Sequence, residues 1–182
     1  MYTIYVDIDG VLADLATKWI QIYNEIYDDD IRVEQWTTWD IHKLVKPACG
    51  EQIYEILKAP WLYDVVSPYL GALEMVQRLR KVARVVYATA SPAGTFGVKW
   101  KWLERNGFEP KEKDYIEIND KTLLSMWGTA IIEDNLALVR KWKGYPILID
   151  RPWNQGDTGM ALRLQSYVIV SKTLEEWAKC AR

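Results

Sequence analysis

The chain has 182 residues, of which 49% are hydrophobic and 26% are charged, and 23 basic side chains nearly balance 25 acidic ones. These values exclude a disordered, fibrous or strongly basic nucleic-acid-binding protein, and they indicate one globular domain with room for a small insertion. The single histidine argues against sites that need several imidazoles, so carboxylate chemistry is favoured. We expect no nucleic acid polymer as a partner.

No apolar run approaches the roughly 20 residues that span a membrane, and no basic segment precedes an apolar one near residue 1. Cys49 and Cys180 lie far apart and form no CxxC pair, which gives no sign of a disulfide framework. We therefore expect a cytoplasmic protein without a membrane partner, and a homodimer is left open.

Short apolar runs alternate with amphipathic stretches, which predicts an α/β fold built on a doubly wound parallel sheet of the Rossmann-like kind. In chain order, the predicted elements are a strand 2–8, a helix 12–27, a helix 72–81, a strand 83–88, a helix 98–106, a strand 115–118, a strand 130–132, a short helix through 138–142, strands 145–149 and 167–170, and a helix 173–181. Thr173 and Glu176 have the spacing of a capping box.

Residues 31–68 interrupt this alternation with short helical pieces, four prolines or glycines and several large aromatic rings. We interpret this segment as a small helical cap, inserted after the first strand-helix unit of a core formed by 1–30 and 69–182. Trp36, Trp39, Trp61 and Tyr63 form either the cap's own core or a surface for stacking on a ligand. The acidic run 28–30 is interpreted as a solvated turn, and His42 as a structural residue.

Polar groups follow four of the predicted strands, and in a doubly wound sheet such positions share the crevice where ligands bind. They are Asp7 and Asp9 after the first strand, Thr89 after the second, Lys121 beyond the third, and Glu133 and Asp134 after the fourth. Neighbouring carboxylates repel each other unless a cation lies between them, and Mg²⁺ is the hard cation that such oxygen ligands prefer. The sequence therefore predicts a Mg²⁺ site held by Asp7, Asp9, Glu133 and Asp134.

This set of residue types suits phosphoryl transfer. Asp7 is the expected nucleophile, giving an aspartyl-phosphate, and Asp9 is the expected general acid and base. Thr89, with the backbone of Ala90 and Ser91, and Lys121 are expected to hold the phosphoryl oxygens.

The motifs in these positions resemble those of a known superfamily. DIDGVLAD at 7–14 resembles the opening motif of the haloacid dehalogenase superfamily, and YATASP, NDKT and IIEDN resemble its later motifs in the same order. Together with WTTWDI at 36–41, PYLGA at 68–72 and KWKWLERNG at 99–107, they resemble the 5'(3')-deoxyribonucleotidase family, including its bacterial and phage members. The resemblance extends from residue 4 to about residue 154.

The resemblance implies a magnesium-dependent phosphatase that acts on deoxyribonucleoside monophosphates. It implies that Lys99 is a second phosphate-contacting lysine, that the backbone carbonyl of Asp9 joins the metal ligands, and that the cap hinges near Ala13 and Pro68. The candidate substrate contacts are Leu15, Trp36, Trp61 and Tyr63. Arg151, Trp153 and Asn154 either line the crevice or cap the turn after their strand.

Two positions depart from the family pattern. Ala90 separates Thr89 from Ser91, where the family commonly has Thr-Ser-Pro, so a side-chain phosphate contact is lost or moves to Ser91. Glu133 stands where Asp is common, which leaves open whether Glu133 or Asp134 is the direct metal ligand.

Two alternatives to a nucleotidase remain at this point. The same residues serve phosphatases of other small phosphomonoesters, because the core motifs do not choose the leaving group. A phosphorylatable receiver-type module also combines acids, Thr and Lys on a doubly wound sheet. The adjacent acids Asp7 and Asp9 and the inserted cap argue against such a module.

Overall fold

A single parallel sheet organises the computed structural model, which describes residues 2–93 and 95–180. Its six strands are β1 (Thr3–Val6), β2 (Arg84–Thr89), β3 (Tyr115–Glu117), β4 (Thr129–Glu133), β5 (Tyr145–Ile149) and β6 (Leu162–Leu164). They lie in the order β3-β2-β1-β4-β5-β6, and every neighbouring pair is parallel. The predicted doubly wound sheet is confirmed, and its order changes direction between β1 and β4, where such sheets bind ligands.

Helices cover both faces of the sheet. The α-helices among the described residues are α1 (Leu15–Tyr27), α2 (Leu62–Val65), α3 (Ala72–Leu79), α4 (Val98–Arg105), α5 (Leu136–Val139) and α6 (Tyr167–Cys180). Helix α1 begins later than the predicted residue 12, because Asp14 is its N-cap and accepts a hydrogen bond from the backbone N–H of Thr17 at 3.3 Å. Residues 7–14 are thereby left as a loop at the carboxyl end of β1.

The predicted strand 167–170 is wrong, because these residues form the first turn of α6. The β-branched composition of this stretch is typical of a strand, but Tyr167, Val170, Leu174 and Ala178 are buried at intervals of three and four residues, which is the spacing of a helix face. The sixth strand is Leu162–Leu164, for which no strand was predicted. Thr173 lies inside α6 and does not cap it, and the predicted ends at residues 1, 181 and 182 lie outside the described residues.

Residues 31–68 are called the cap segment below. The segment contains helices but no strand. These are α2 and the 3₁₀ helices Val33–Gln35, Ile41–Lys43 and Gly50–Lys58. A hydrophobic cluster joins this segment to one face of α1, including Trp19, Ile20 and Tyr23 of the helix and Trp36, Ile41 and Ile53 of the segment. The expected division after residue 30 therefore cuts through a packed cluster, because α1 contributes to it.

Two chain connections run side by side at the base of the cap segment. The backbone N–H of Asp14 donates to the carbonyl of Ser67 at 2.9 Å, and that of Tyr69 donates to the carbonyl of Leu12 at 2.8 Å. Ala13 and Pro68 form an antiparallel bridge between these bonds. The start and end of the insertion are thus fixed to each other beside the carboxyl end of β1.

Among the described residues, no helix is both long enough and apolar enough to cross a lipid bilayer. Cys49 is buried, Cys180 is exposed, and both are free thiols.

Candidate active site

A cavity of about 320 Å³ opens at the carboxyl ends of the central strands, next to the change of direction in the sheet order. The polar residues predicted to share one crevice at the ends of four strands come together here. The cavity is lined by Asp7, Asp9, Thr89, Ala90, Lys121, Glu133 and Asp134. They meet because parallel strands present their carboxyl ends at the same edge of the sheet.

Three buried carboxylates form the floor of this cavity. Asp7, Glu133 and Asp134 each offer one oxygen, and these oxygens lie within 4.8 Å of one another. The Nζ of Lys121 lies 2.6 Å from Oδ1 of Asp7 and 2.7 Å from Oε2 of Glu133. One ammonium group does not balance three carboxylates, and a buried excess of negative charge is costly. These hard oxygen donors therefore fit a divalent cation such as Mg²⁺.

The electrostatics of the cluster support this fit. Burial raises the pKa of Asp7 to about 7, with the charge of Glu133 adding to the rise and Lys121 opposing it. Burial and then the charge of Asp7 raise the pKa of Asp134 to about 7, against a hydrogen bond from Trp153. Burial lowers the pKa of Lys121, but Asp7 and Glu133 raise it by more, so this lysine stays protonated. Without a cation, the cluster holds protons near neutral pH.

The loop after β1 passes directly against the acidic cluster. Gly10 has a φ of 71°, and a Cβ at this position would lie 2.1 Å from Oδ2 of Asp134, so only glycine fits. The carbonyl of Gly10 accepts a hydrogen bond from Nε of Arg151 at 2.8 Å, and the next carbonyl, that of Val11, accepts from the Tyr167 hydroxyl. Arg151 also donates to the Tyr167 hydroxyl at 2.8 Å. These bonds fix the backbone between Asp9 and α1.

The side chain of Asp9 points away from the three clustered carboxylates. Its Oδ2 lies 2.6 Å from Nζ of Lys99, and its Oδ1 accepts a hydrogen bond from the Tyr63 hydroxyl. Burial, and then the charge of Asp9, raise the pKa of Tyr63 well above its usual range, so the hydroxyl stays a donor. The carboxylates of Asp7 and Asp9 therefore have different surroundings, although only one residue separates them.

Lys99 also reaches the carboxyl end of β2. Its Nζ lies 2.9 Å from Oγ1 of Thr89 and contacts the carbonyl of Ala90. The Oγ of Ser91 is buried and has no hydrogen-bond partner among the described residues, and Ser91 lines a second cavity together with Asp9 and Lys99. An unpaired buried hydroxyl is costly, so Ser91 is available to a ligand oxygen.

Aromatic and aliphatic side chains form the opposite wall of the first cavity. Leu15, Trp36 and Trp39 line it, as do Trp19, Tyr54, Leu57 and Trp153. Trp36 is buried and stacks on Trp153 with 4.6 Å between ring centroids, whereas Trp39 is 52% exposed. Trp61 is also 52% exposed but is not among the residues that line this cavity. Of the four candidate substrate contacts, Leu15 and Trp36 line it and Tyr63 lies beside Asp9.

Three residues of this wall are not predictable from the sequence pattern: Trp19, Tyr54 and Leu57. Trp19 lies on α1, and Tyr54 and Leu57 lie in the 3₁₀ helix Gly50–Lys58. In the sequence, their helical spacing is the same for a residue that lines a cavity as for a residue of the hydrophobic core. His42 contacts the Tyr54 hydroxyl through Nδ1 at 3.0 Å. Trp153 was considered only as a crevice or turn residue, and no local signal indicated its contact with Asp134.

A buried acidic cluster and two buried lysines lie where the strand order of the sheet changes direction. This arrangement is the one expected of a phosphoric monoester hydrolase of the haloacid dehalogenase superfamily, and the comparisons with known proteins support that class. A family model described as "5' nucleotidase, deoxy (Pyrimidine), cytosolic type C protein" matches residues 1–175. The chain belongs to this family.

Curated relatives carry a matching name. The chain is 28% identical over 155 residues to a 5'(3')-deoxyribonucleotidase of Clostridium acetobutylicum, covering 85% of each chain. It is 27% identical over 162 residues to a 5'(3')-deoxyribonucleotidase of Bacillus subtilis, covering 85% of this chain and 88% of the relative.

Solved structures share the fold. A HAD family hydrolase from Deinococcus radiodurans, solved with bound phosphate and sodium, aligns with a TM-score of 0.64 at 14% identity, over 98% of this chain and 96% of that one. The HAD hydrolase YfnB from Bacillus subtilis, solved with magnesium, aligns with a TM-score of 0.63 at 14% identity, over 95% and 98%. The expected fold class and family are thus confirmed.

Proposed function

We propose that this chain is a magnesium-dependent phosphatase that hydrolyses deoxyribonucleoside monophosphates through an aspartyl-phosphate on Asp7. The observation that carries the proposal is the buried cluster of Asp7, Glu133 and Asp134 within 4.8 Å, beside Lys121 and below an aromatic wall. The names of the curated relatives support the choice of substrate.

The residues that would hold Mg²⁺ are Asp7, Glu133 and Asp134, with the backbone carbonyl of Asp9 as a further ligand. Bound there, the ion supplies positive charge that offsets the repulsion among the carboxylates and the charge on the phosphoryl group. The side chain of Asp9 is directed to Lys99 and Tyr63 rather than to the acidic cluster, which supports a role in proton transfer and not as a metal ligand.

In the first step, a carboxylate oxygen of Asp7 attacks phosphorus and forms a new P–O bond. The ester P–O bond breaks, its electron pair goes to the leaving oxygen, and that oxygen takes a proton from Asp9. Lys121 holds one oxygen of Asp7 at 2.6 Å and thereby orients the nucleophile. Lys99, Thr89 and Ser91, with the backbone around Ala90, would contact the phosphoryl oxygens where negative charge accumulates.

In the second step, a water molecule attacks phosphorus of the aspartyl-phosphate and gives its proton to Asp9. The bond between phosphorus and the Asp7 oxygen breaks, which restores the carboxylate and releases inorganic phosphate. Asp9 ends this step protonated, so it is ready for the next turnover. One residue thus acts first as an acid and then as a base.

The base of the nucleotide would lie against the aromatic wall. Trp39 has the ring that best suits stacking, because it lines the cavity while remaining 52% exposed. Trp36 is already covered by Trp19 and Trp153, so it shapes the wall together with Leu15 rather than offering a free face. The structure thus favours Trp39 over Trp61 as the ring that stacks on the base.

A phosphatase of another small phosphomonoester is the second candidate, because the core residues do not choose the leaving group. The aromatic wall favours a nucleotide over a small sugar phosphate. A receiver-type module is not favoured by any observation, since receiver folds have the strand order 2-1-3-4-5, which differs from the order of this sheet.

The test is steady-state turnover in Mg²⁺ with a panel of 5' and 3' deoxyribonucleoside monophosphates, the matching ribonucleotides and a chromogenic phosphate ester. We expect the deoxyribonucleotides to have the highest kcat/KM, and excess chelator to stop turnover of every substrate. Full activity in chelator would contradict the metal mechanism. A higher kcat/KM for the chromogenic ester would contradict the substrate class while leaving phosphatase activity in place.

A further inference from the structure

Trp153 contacts both the acidic cluster and the cap segment. Its Nε1 donates a hydrogen bond to Oδ2 of Asp134 at 2.9 Å. Its ring stacks on Trp36, with 4.6 Å between centroids and 29° between the planes. Both indoles are buried, at 5% and 7% exposure. One side chain therefore joins a carboxylate of the cluster to the cap segment.

The backbone that carries Trp153 is anchored to the sheet. Trp153 lies in the 3₁₀ helix Pro152–Asn154, directly after β5. The Nδ2 of Asn154 donates to the carbonyls of Asp134 and Ile149, at 2.7 and 2.8 Å, and its Oδ1 accepts from Arg163 at 2.9 Å. This turn is thus tied to the ends of both β4 and β5. The backbone that carries Trp153 is therefore held on the sheet side, whereas its indole ring packs against Trp36 of the cap segment.

The indole ring of Trp36, in contrast, is held by packing against other side chains. It follows the 3₁₀ helix Val33–Gln35, and its ring meets that of Trp19 edge-on at 5.6 Å. The Nε1 of Trp36 is buried and has no hydrogen-bond partner among the described residues. The position of the Trp36 ring therefore depends on how the cap segment packs against α1.

The carboxylate of Asp134 has little freedom of its own. Its Oδ2 accepts a hydrogen bond from Nε1 of Trp153. The same oxygen lies so close to Gly10 that a Cβ on that residue would be only 2.1 Å away, so the backbone at Gly10 also limits the movement of the carboxylate. Hydrogen bonds of this kind orient a carboxylate toward a cation and tune its affinity. A change in the Trp153 ring thus alters the direction in which Asp134 presents its oxygens.

We propose that Trp153 is a positioning residue that couples the packing of the cap segment, through Trp36, to the orientation of the Asp134 carboxylate. The inference rests on the proposed function, because it takes Asp7, Glu133 and Asp134 to be the Mg²⁺ ligands. Its consequence is that loss of the aromatic stack weakens Mg²⁺ binding, although the indole N–H of Trp36 donates no hydrogen bond to the acidic cluster.

Three variants of the full chain test this coupling. Trp153→Phe keeps an aromatic ring against Trp36 but removes the N–H donor. Trp36→Leu keeps that donor but removes the stack. Trp142→Phe is the matched control, because Trp142 is buried at 2% exposure, its Nε1 has no partner among the described residues, and it packs edge-on against Tyr5 in a different cluster.

The measurement is the dissociation constant for Mg²⁺ alone, by titration calorimetry. We expect Trp153→Phe to raise this constant about tenfold or more, which is the usual effect of losing a hydrogen bond to a metal ligand. Trp36→Leu should raise the dissociation constant about threefold to tenfold when it is the only substitution. Added to Trp153→Phe, it should cause no further rise, because the coupling through Trp153 is already lost. Trp142→Phe should leave it within about twofold, and saturating Mg²⁺ should restore turnover in Trp153→Phe.

An unchanged Mg²⁺ constant in Trp153→Phe would overturn the inference, and so would additive losses in the double variant, because Trp36 would then act independently of Trp153. If Trp153→Phe does not fold, the test rests on Trp36→Leu alone. An unchanged dissociation constant for Mg²⁺ in that variant then overturns the inference. Absence of Mg²⁺ binding in the wild-type protein would instead overturn the proposed function, and this inference with it. The two failures are thereby distinguished by the wild-type titration.

Discussion

Lys99 pairs with Asp9 across the candidate active site, with Nζ 2.6 Å from Oδ2. The lysine side chain is 3% exposed and the aspartate side chain 27%, so the pair lies at the edge of the buried cluster. The other oxygen of Asp9 accepts from Tyr63, which α2 of the cap segment supplies. The orientation of Asp9 therefore depends on α4 and on the cap segment, and not only on the loop after β1.

Replacing Lys99 with Met should lower kcat/KM about a hundredfold, because the change removes a cation that orients Asp9 and contacts the phosphoryl group. It should also weaken competitive inhibition by inorganic phosphate, which has no leaving group to protonate. Lys101→Met is the control, since Lys101 is exposed on the same helix. Equal effects of the two substitutions on kcat/KM and on phosphate inhibition would remove Lys99 from the site.

Replacing Asp7 with Asn should abolish turnover of every substrate, because an amide matches the carboxylate in shape but does not attack phosphorus. The fold should be kept and the thermal midpoint should not fall below that of the wild type, since the amide still accepts a hydrogen bond from Lys121 and the pKa of the replaced carboxyl is, like that of Asp134, raised to about 7. Steady-state assays and thermal melts check both statements. Turnover within about tenfold of the wild type would exclude Asp7 as the nucleophile.

Replacing Asp9 with Asn should affect substrates unequally. A deoxyribose oxygen is a poor leaving group that needs a proton from Asp9, whereas an acidic phenol leaves without one. The loss in kcat should therefore be greatest for nucleotides and least for a nitrophenyl phosphate. Comparable losses on both substrates would argue that Asp9 does not act as the general acid.

The raised pKa of Asp134 makes a prediction about stability. The carboxyl has its pKa near 7 in the folded protein and 3.8 as its ordinary value, so the folded state binds more protons between these values. The free energy of unfolding of the metal-free protein therefore falls as the pH rises through this window. Asp134→Asn removes that loss, which is larger at higher pH within the window, so the substitution should raise the thermal midpoint by about 5 °C more at about pH 8 than at about pH 5.

Thermal melts in chelator at both pH values check this expectation, and Mg²⁺ titrations should show weaker binding in the variant. A midpoint that falls at both pH values would mean that the Asp134 carboxylate stabilises the fold even without a cation.

Replacing Trp39 with Ala should weaken the use of nucleotides while sparing a small phosphate ester. Stacking of a base on an aromatic ring contributes about 1 to 3 kcal/mol, so kcat/KM for nucleotides should fall about tenfold or more. Trp61→Ala is the matched control, because Trp61 is equally exposed at 52% but is not among the residues that line the cavity. Equal losses on nucleotides and on the small ester would instead make Trp39 part of the scaffold.

Several elements were predictable because their signal is local. The strand 145–149 matches its predicted bounds, since a buried parallel strand is a short apolar run between polar turns, and the partly buried edge strand 115–118 differs by one residue. The stretch 167–170 resembles a strand in its β-branched composition, and its helical spacing becomes visible only with the residues beyond it. The strand 162–164 has one exposed and two partly buried residues, so no alternation marks it.

The sequence by itself determined the class of sheet and the polar residues that end its strands, because both follow from local patterns and from the parallel arrangement. Only the tertiary structure decided that Asp9 turns to Lys99 and Tyr63 while Asp7 joins Glu133 and Asp134. It also decided that Trp39 lines the cavity and Trp61 does not. The physical reason is that these relations join segments distant in the chain, and packing fixes which side chains meet there.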